Sequence, residues 1–282
     1  DDTVCSHEYY NADGFCEACG AYQKANKSGE YYEIYNAGQL FWFAERFNSG
    51  MIPDNSNLKL MKDIEIPDGH NWTSIGNITD KFFKGNIEGN YHVISGLRPA
   101  NDNTSYKRGL VARIQDGKVQ NIGLVLEDGW TFGLCHTAVG TNIQNCFVVG
   151  TNFLNNSSNG TVTNCLAVSG KLEGTTSSMN NRASFTNCYE TTKGIFSSNG
   201  GITTLDSEEK RKSLKSGEIA YKLNGEKSDG TWGQVIGRED YPRFRKYSKT
   251  VYYDSATGTY SNNKAASITF ATVTDIKSIS ET

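Results

Sequence analysis

Four residues near the start of the chain have the types and spacing of a metal site. Cys5 and His7 form a C-x-H pair, and Cys16 and Cys19 form a C-x2-C pair closed by Gly20. Thiolate sulfur and imidazole nitrogen are ligands that zinc prefers, and a C-x2-C turn brings two sulfurs to one ion. Four protein donors complete a tetrahedral shell, so the zinc would be structural, with no position open for a substrate. Segment 1–28 is too small to hold a core of its own, and metal binding would supply its folding energy. The competing reading is a disulfide from Cys5 to Cys16 or Cys19 with His7 exposed; the spacing favours zinc.

The other cysteines call for a different explanation. The chain has seven, an odd number, so complete internal pairing is impossible. Cys146, Cys165 and Cys188 each end a short motif of hydrophobe, polar residue, asparagine and cysteine: Ile143 to Cys146, Val162 to Cys165 and Phe185 to Cys188. A fourth copy, Val119 to Ile122, carries isoleucine in the cysteine position. That isoleucine marks the column as apolar, and free cysteine behaves as a small buried hydrophobe. A nucleophilic cysteine also needs a base. Cys135 has His136 beside it, but neighbours on a strand point to opposite faces.

Carboxylates and aromatics remain. Asp116, Glu127 and Asp128 are the acids that could serve hydrolysis, which needs two carboxyls at a defined separation. Asp116-Gly117 and Asp128-Gly129 are also turn dipeptides, which accounts for both aspartates without chemistry. Trp72, Trp130 and Trp232 could stack on sugars, although most aromatics serve packing. Trp130, just after a turn, is the candidate ligand-binding residue.

The elements that must position these residues emerge from periodicity. The motif recurs at intervals of roughly 20–25 residues, the mark of units that stack on their neighbours to bury an apolar face. Each asparagine is expected at a bend, since Asn tolerates the left-handed conformation, and stacked asparagines can bond one another. Val119, Ile143, Val162 and Phe185 would then form one interior column, and Ile122 with the three cysteines another. Before the repeats, Leu40, Phe43, Ala44 and Phe47 give one apolar helical face, opened by Asn36 and ended by Gly50. After them, Asp206-x-x-Glu209 predicts a capped helix, and Ser216 a second short one over Gly217 to Leu223.

Composition fits this picture. Hydrophobic residues make up 37% of the 282, and only four prolines occur, which suits short strands and tight turns. A net charge of −3 gives no reason to expect nucleic acid or an anionic membrane as partner. No stretch approaches the roughly 18 apolar residues of a membrane span. The first residues read as a mature or trimmed start, and the whole as an excerpt from a larger protein.

Several stretches taken in order resemble GLUG-type repeat proteins. They are Tyr32 to Gly50, Leu58 to Ile66, Trp72-Thr-Ser-Ile-Gly76, the glycine-spaced Phe83 to Leu97, and Val119-x-Asn-Ile-Gly-Leu124. The closing Leu214 to Asn224, Trp232 to Gly237 and Tyr241-Pro-x-Phe244 resemble the segment C-terminal to such repeats. The N-terminal Cys/His segment resembles a short zinc-ribbon-like module of bacterial surface proteins. The resemblance covers roughly residues 31–247. It implies an all-β fold, a right-handed parallel β-helix or solenoid with capping helices at both ends, in a secreted or cell-surface protein of gut bacteria. The family has no agreed catalytic motif. The expected domains are a Cys/His segment at 1–28, the β-helix at 29–204, a C-terminal cap at 205–264 and a linker or strand at 265–282. The expected function is non-catalytic: an extracellular adhesion or stalk module, monomeric within a larger chain, with glycan or host surface protein as partner. The alternatives are a polysaccharide-active β-helix enzyme and an accessory domain of a large surface protease.

Overall fold

The asparagine bends govern how the strands stack. In a computed structural model, which describes residues 5–100, 109–126, 132–174, 182–194 and 200–264, Asn121, Asn145, Asn164 and Asn187 all have φ between 50° and 57°. That left-handed region is open to Asn because its short side chain bonds locally. Here the side chains bond each other. Asn145 Nδ2 donates to Asn121 Oδ1 at 3.1 Å, Asn164 to Asn145 at 3.4 Å and Asn187 to Asn164 at 2.8 Å. The row has partners at both ends. Asn121 donates to Glu88 Oε1 at 3.2 Å, and Asn187 also donates to the Lys222 carbonyl at 2.8 Å. The four asparagines are half-buried, and this row bonds each to the next.

Each bend splits its segment into two arms that pair separately. Before the bend, Val119, Ile143, Val162 and Phe185 are successive partners in parallel register and are buried. After it, Gly123 to Val125 pairs with Phe147 to Val149, which pairs with Leu166 to Val168. Ile122, Cys146, Cys165 and Cys188 come directly after the asparagines, and all are buried. Both interior columns read from the sequence are therefore present.

The fold class itself is corrected. The chain is mixed α/β, with 12% helix beside 40% strand, rather than an all-β right-handed parallel β-helix. The described strands fall into a 13-stranded, mostly parallel sheet with side branches, a separate three-stranded sheet and two small two-stranded ones. The three-stranded sheet joins Val111–Gln115, Phe132–Val139 and Asn152–Ser158 in parallel. These sheets do not constitute a closed solenoid. The physical reason lies in the repeat, which demands parallel stacking between successive copies and leaves open how the layers join. Helices also contribute core.

The first helix, α1 (Ala37–Asn48), is capped by Asn36, whose side chain accepts from the Gln39 N–H. Leu40, Phe43 and Phe47 are fully buried against Ile34, Trp72 and Phe83 among others. Each such side chain contributes roughly 1.5–3 kcal/mol of burial. Two shorter helices come later, α2 (Glu208–Lys215) and α3 (Glu218–Leu223). Their caps differ from the sequence reading by one position. Ser207, not Asp206, caps α2, because Asp206 instead pairs with Lys210 at 2.9 Å. Gly217 in the left-handed region precedes α3. Beyond them, Trp232, Phe244 and Val251 join α3 in a second apolar cluster over Phe147, Leu166 and Tyr189. His92 ties this C-terminal part down: its ring meets Asp63 Oδ1 at 3.0 Å, Lys246 Nζ at 3.1 Å and the Tyr247 hydroxyl at 2.7 Å.

Candidate metal centre

The Cys/His segment is built on two short antiparallel contacts, Tyr10 with Cys16 and Phe15 with Tyr22. Between them the chain turns through Cys16 to Gly20. The Gly20 N–H donates to the Cys16 carbonyl at 2.7 Å, and Gly20 sits at φ +73°. Glycine alone takes that conformation without penalty, which is why the C-x2-C pair ends in Gly. On the other arm, His7 has φ 54°. A non-glycine residue held there costs on the order of 1–3 kcal/mol and persists where the surroundings demand it.

The strain at His7 sets its ring among the sulfurs. Its Nδ1 lies 3.3 Å from Cys19 Sγ, and Cys5 Sγ lies 3.5 Å from Cys16 Sγ. One donor atom from each of Cys5, His7, Cys16 and Cys19 falls within 4.8 Å of all the others. A tetrahedral ion with Zn–S bonds of about 2.3 Å holds its sulfurs about 3.8 Å apart. The donor spacing therefore fits a single tetrahedral ion. It does not fit a disulfide, whose sulfurs lie about 2.0 Å apart, and all seven cysteines are free. Among the described residues this is the one group of three or more His, Cys, Asp or Glu donors gathered at metal-binding distance.

Electrostatics favour the thiolate form that a metal needs. The His7 side chain, then the backbone N–H groups of Cys19 and Ala18, lower the Cys16 thiol to about 6. Such N–H donors stabilise negative sulfur and orient it, as outer groups do in metal sites.

The segment is also part of the larger fold. Phe15, next to Cys16, stacks on His70 with ring centroids 3.9 Å apart and packs edge-on to Phe41 of α1 at 5.8 Å. Gly38 at the start of α1 donates its N–H to the Asp13 carbonyl at 2.6 Å. A Cβ on Gly38 would lie 1.9 Å from the Gly14 carbonyl oxygen, so only glycine permits this approach. Sequence reasoning found the four donors but not Phe15 and His70, whose contact joins distant positions with no local pattern.

The other candidates separate clearly. Cys146, Cys165 and Cys188 donate to the carbonyls of Gln144, Thr163 and Thr186 at 3.1 to 3.3 Å. Burial raises the Cys165 and Cys135 thiols far above their usual range. Buried thiols of this kind are inert. His136 contacts Asn155 and Thr137, and burial lowers its pKa. Asp116 sits at φ 56° in its turn, as a structural aspartate does. Trp72 is buried and its Nε1 donates to the Gly109 carbonyl at 3.2 Å, and Trp232 is fully buried, so both are packing residues. Trp130, Glu127 and Asp128 lie outside the described residues, as does 265–282. No helix among the described residues is long and apolar enough to cross a membrane. Compared with family models, curated proteins and solved structures, the chain finds no match, so the likeness to GLUG-type repeats rests on its sequence motifs alone.

Proposed function

We propose that this chain is a non-catalytic adhesion module of a bacterial cell-surface protein, with a structural zinc ion at Cys5, His7, Cys16 and Cys19 and a glycan as its partner. The observation that carries the reading is the nature of that donor set. Three sulfurs and one imidazole nitrogen complete a tetrahedral shell and leave no position for a reacting molecule. The ion would clip the segment against α1, where Phe15 and the Gly14–Gly38 contact already seat it. Elsewhere the half-buried asparagines bond each other and the buried cysteines bond backbone carbonyls. A framework of that kind suits display of a surface rather than turnover. The extracellular placement rests on the GLUG-type motifs.

The test is binding of the purified chain to an array of host and dietary glycans, with soluble polysaccharides assayed in parallel for newly formed reducing ends. Reproducible capture without product release is the expected result. Release of product, or silence across the array, would overturn the adhesion reading.

A further inference from the structure

The outer face of the large sheet is only partly covered. Trp232 and Phe244 from the C-terminal part sit over Phe147, Leu166 and Tyr189. Where this cover stops, a cleft of about 450 Å³ opens, within the roughly 300–1,000 Å³ usual for ligand pockets. Its floor is Val93, Val125 and Phe147. One wall is the strand Ile64–Glu65, which pairs in parallel with Ile94–Ser95, so that Ile64 points inward and Glu65 outward. The other wall is formed by Arg243 and Tyr247.

The groups on these walls are fixed but retain free bonding capacity. Tyr247 is 48% exposed, yet its hydroxyl is held by His92 at 2.7 Å, which orients the ring. Asp63 engages His92 and the Val93 N–H through Oδ1, both at 3.0 Å, leaving Oδ2. The Glu65 carboxylate has no hydrogen-bond or ion-pair partner among the described residues. Arg243 leans over the Tyr241 ring at 5.2 Å and stands 3.9 Å from Glu239.

The mixture of groups selects the ligand chemistry. A cation would meet Arg243, and an anion would meet Asp63 and Glu65. A purely apolar ligand would strip water from these charges without replacing it. A neutral polyhydroxyl ring satisfies both walls: its hydroxyls donate to the carboxylates and accept from the guanidinium. Its C–H face matches the apolar floor and an aromatic wall, the usual division of labour in a small-molecule site. We propose that this cleft binds a neutral saccharide, with Glu65, Asp63 and Arg243 holding hydroxyls and Tyr247 supplying a ring face. The proposal rests on the adhesion reading and gives it a location.

The experiment is an amide NMR titration of the full chain with galactose, glucose, mannose, N-acetylglucosamine and lactose, beside the same protein carrying Glu65→Ala or Arg243→Ala. Both side chains are exposed, and each variant's melting temperature reports that it folds. At least one sugar should shift resonances at Val93, Val125 and Tyr247, and each variant should bind it at least about tenfold more weakly, the usual effect of losing a hydrogen bond to a charged group. An array hit with unchanged affinity in both variants would overturn the cleft and leave the adhesion reading standing. Silence on the array and in the titration would overturn both.

Discussion

The N-terminal cysteines and the central ones show the same side chain under opposite rules. Around Cys16, backbone N–H groups of Ala18 and Cys19 and the His7 ring point at sulfur, and its thiol pKa falls. Around Cys146, Cys165 and Cys188, the sulfur itself donates to a carbonyl two residues earlier, inside an apolar column. Donors aimed at sulfur favour the thiolate; burial favours the thiol, and it raises Cys165 and Cys135 well above their usual range. The first arrangement suits a metal ligand and the second a packing unit. The surroundings of the sulfur thus separate Cys16 from Cys165 and Cys135.

The widest gap between the two regions should come from metal removal. Treating the protein with a strong chelator should release residues 5–22 to rapid hydrogen exchange, because a structural ion supplies most of the folding energy of so small a unit. Amides between 110 and 126, and those of the paired strands between 142 and 168, should keep their protection. Equal loss in both regions would mean that they do not differ as described.

The central region is best probed at its bends. Asn164→Ala should cost about 2–4 kcal/mol, since alanine is strained at φ 53° and the bonds to Asn145 and Asn187 are lost. Asn164→Gly should cost less, because glycine accepts the conformation and only the bonds go. Denaturant unfolding of the two variants separates the backbone from the side-chain contribution; equal costs would remove the backbone part of the account.

The bends and columns were legible in the sequence because they are local and repeated. An asparagine before a cysteine, three times over, with Ile122 as the exception, states both the left-handed turn and the apolar column. The gathering of Cys5, His7, Cys16 and Cys19 was legible for the same reason, the four being close in sequence at a spacing that geometry restricts. Long-range pairings were not. His92 meets Lys246 and Tyr247 across more than 150 residues, and Glu88 supports the asparagine row through a contact that no motif marks. The cap of α2 slipped by one position because Asp206 and Ser207 are both good caps, and the choice turned on Lys210. The closed β-helix expectation failed at the same level, since a repeat specifies which strands neighbour each other but not how sheets join.

A milder effect should come from Cys165→Val. The Ile122 precedent predicts a cost under about 1.5 kcal/mol, that of a swap between apolar residues of similar size. A thiol reagent should leave Cys135, Cys146, Cys165 and Cys188 unmodified in the native state, while the metal-free N-terminal thiols react. Rapid labelling of Cys165 in folded protein would break the contrast.

The smallest effect concerns His92. Burial, opposed by Asp63 and reinforced by Lys246, holds its imidazole below the ordinary 6.5. Because the folded-state value is the lower one, this contribution to stability is complete above pH 6.5 and is lost as pH falls through the folded-state value. The melting temperature should decline slightly below pH 6.5, and part of that slope should vanish in His92→Gln. A slope identical in the two proteins would show that His92, between Asp63, Lys246 and Tyr247, does not titrate as stated.

The most direct test of the central claim is the zinc content and thiol state of the purified chain, measured beside Cys16→Ser. About one zinc per chain, with no disulfide among the seven cysteines of the wild type and near-complete loss of metal in the variant, is the predicted result. A metal-free wild type in which Cys16 or Cys19 is disulfide-bonded to Cys5 would contradict it.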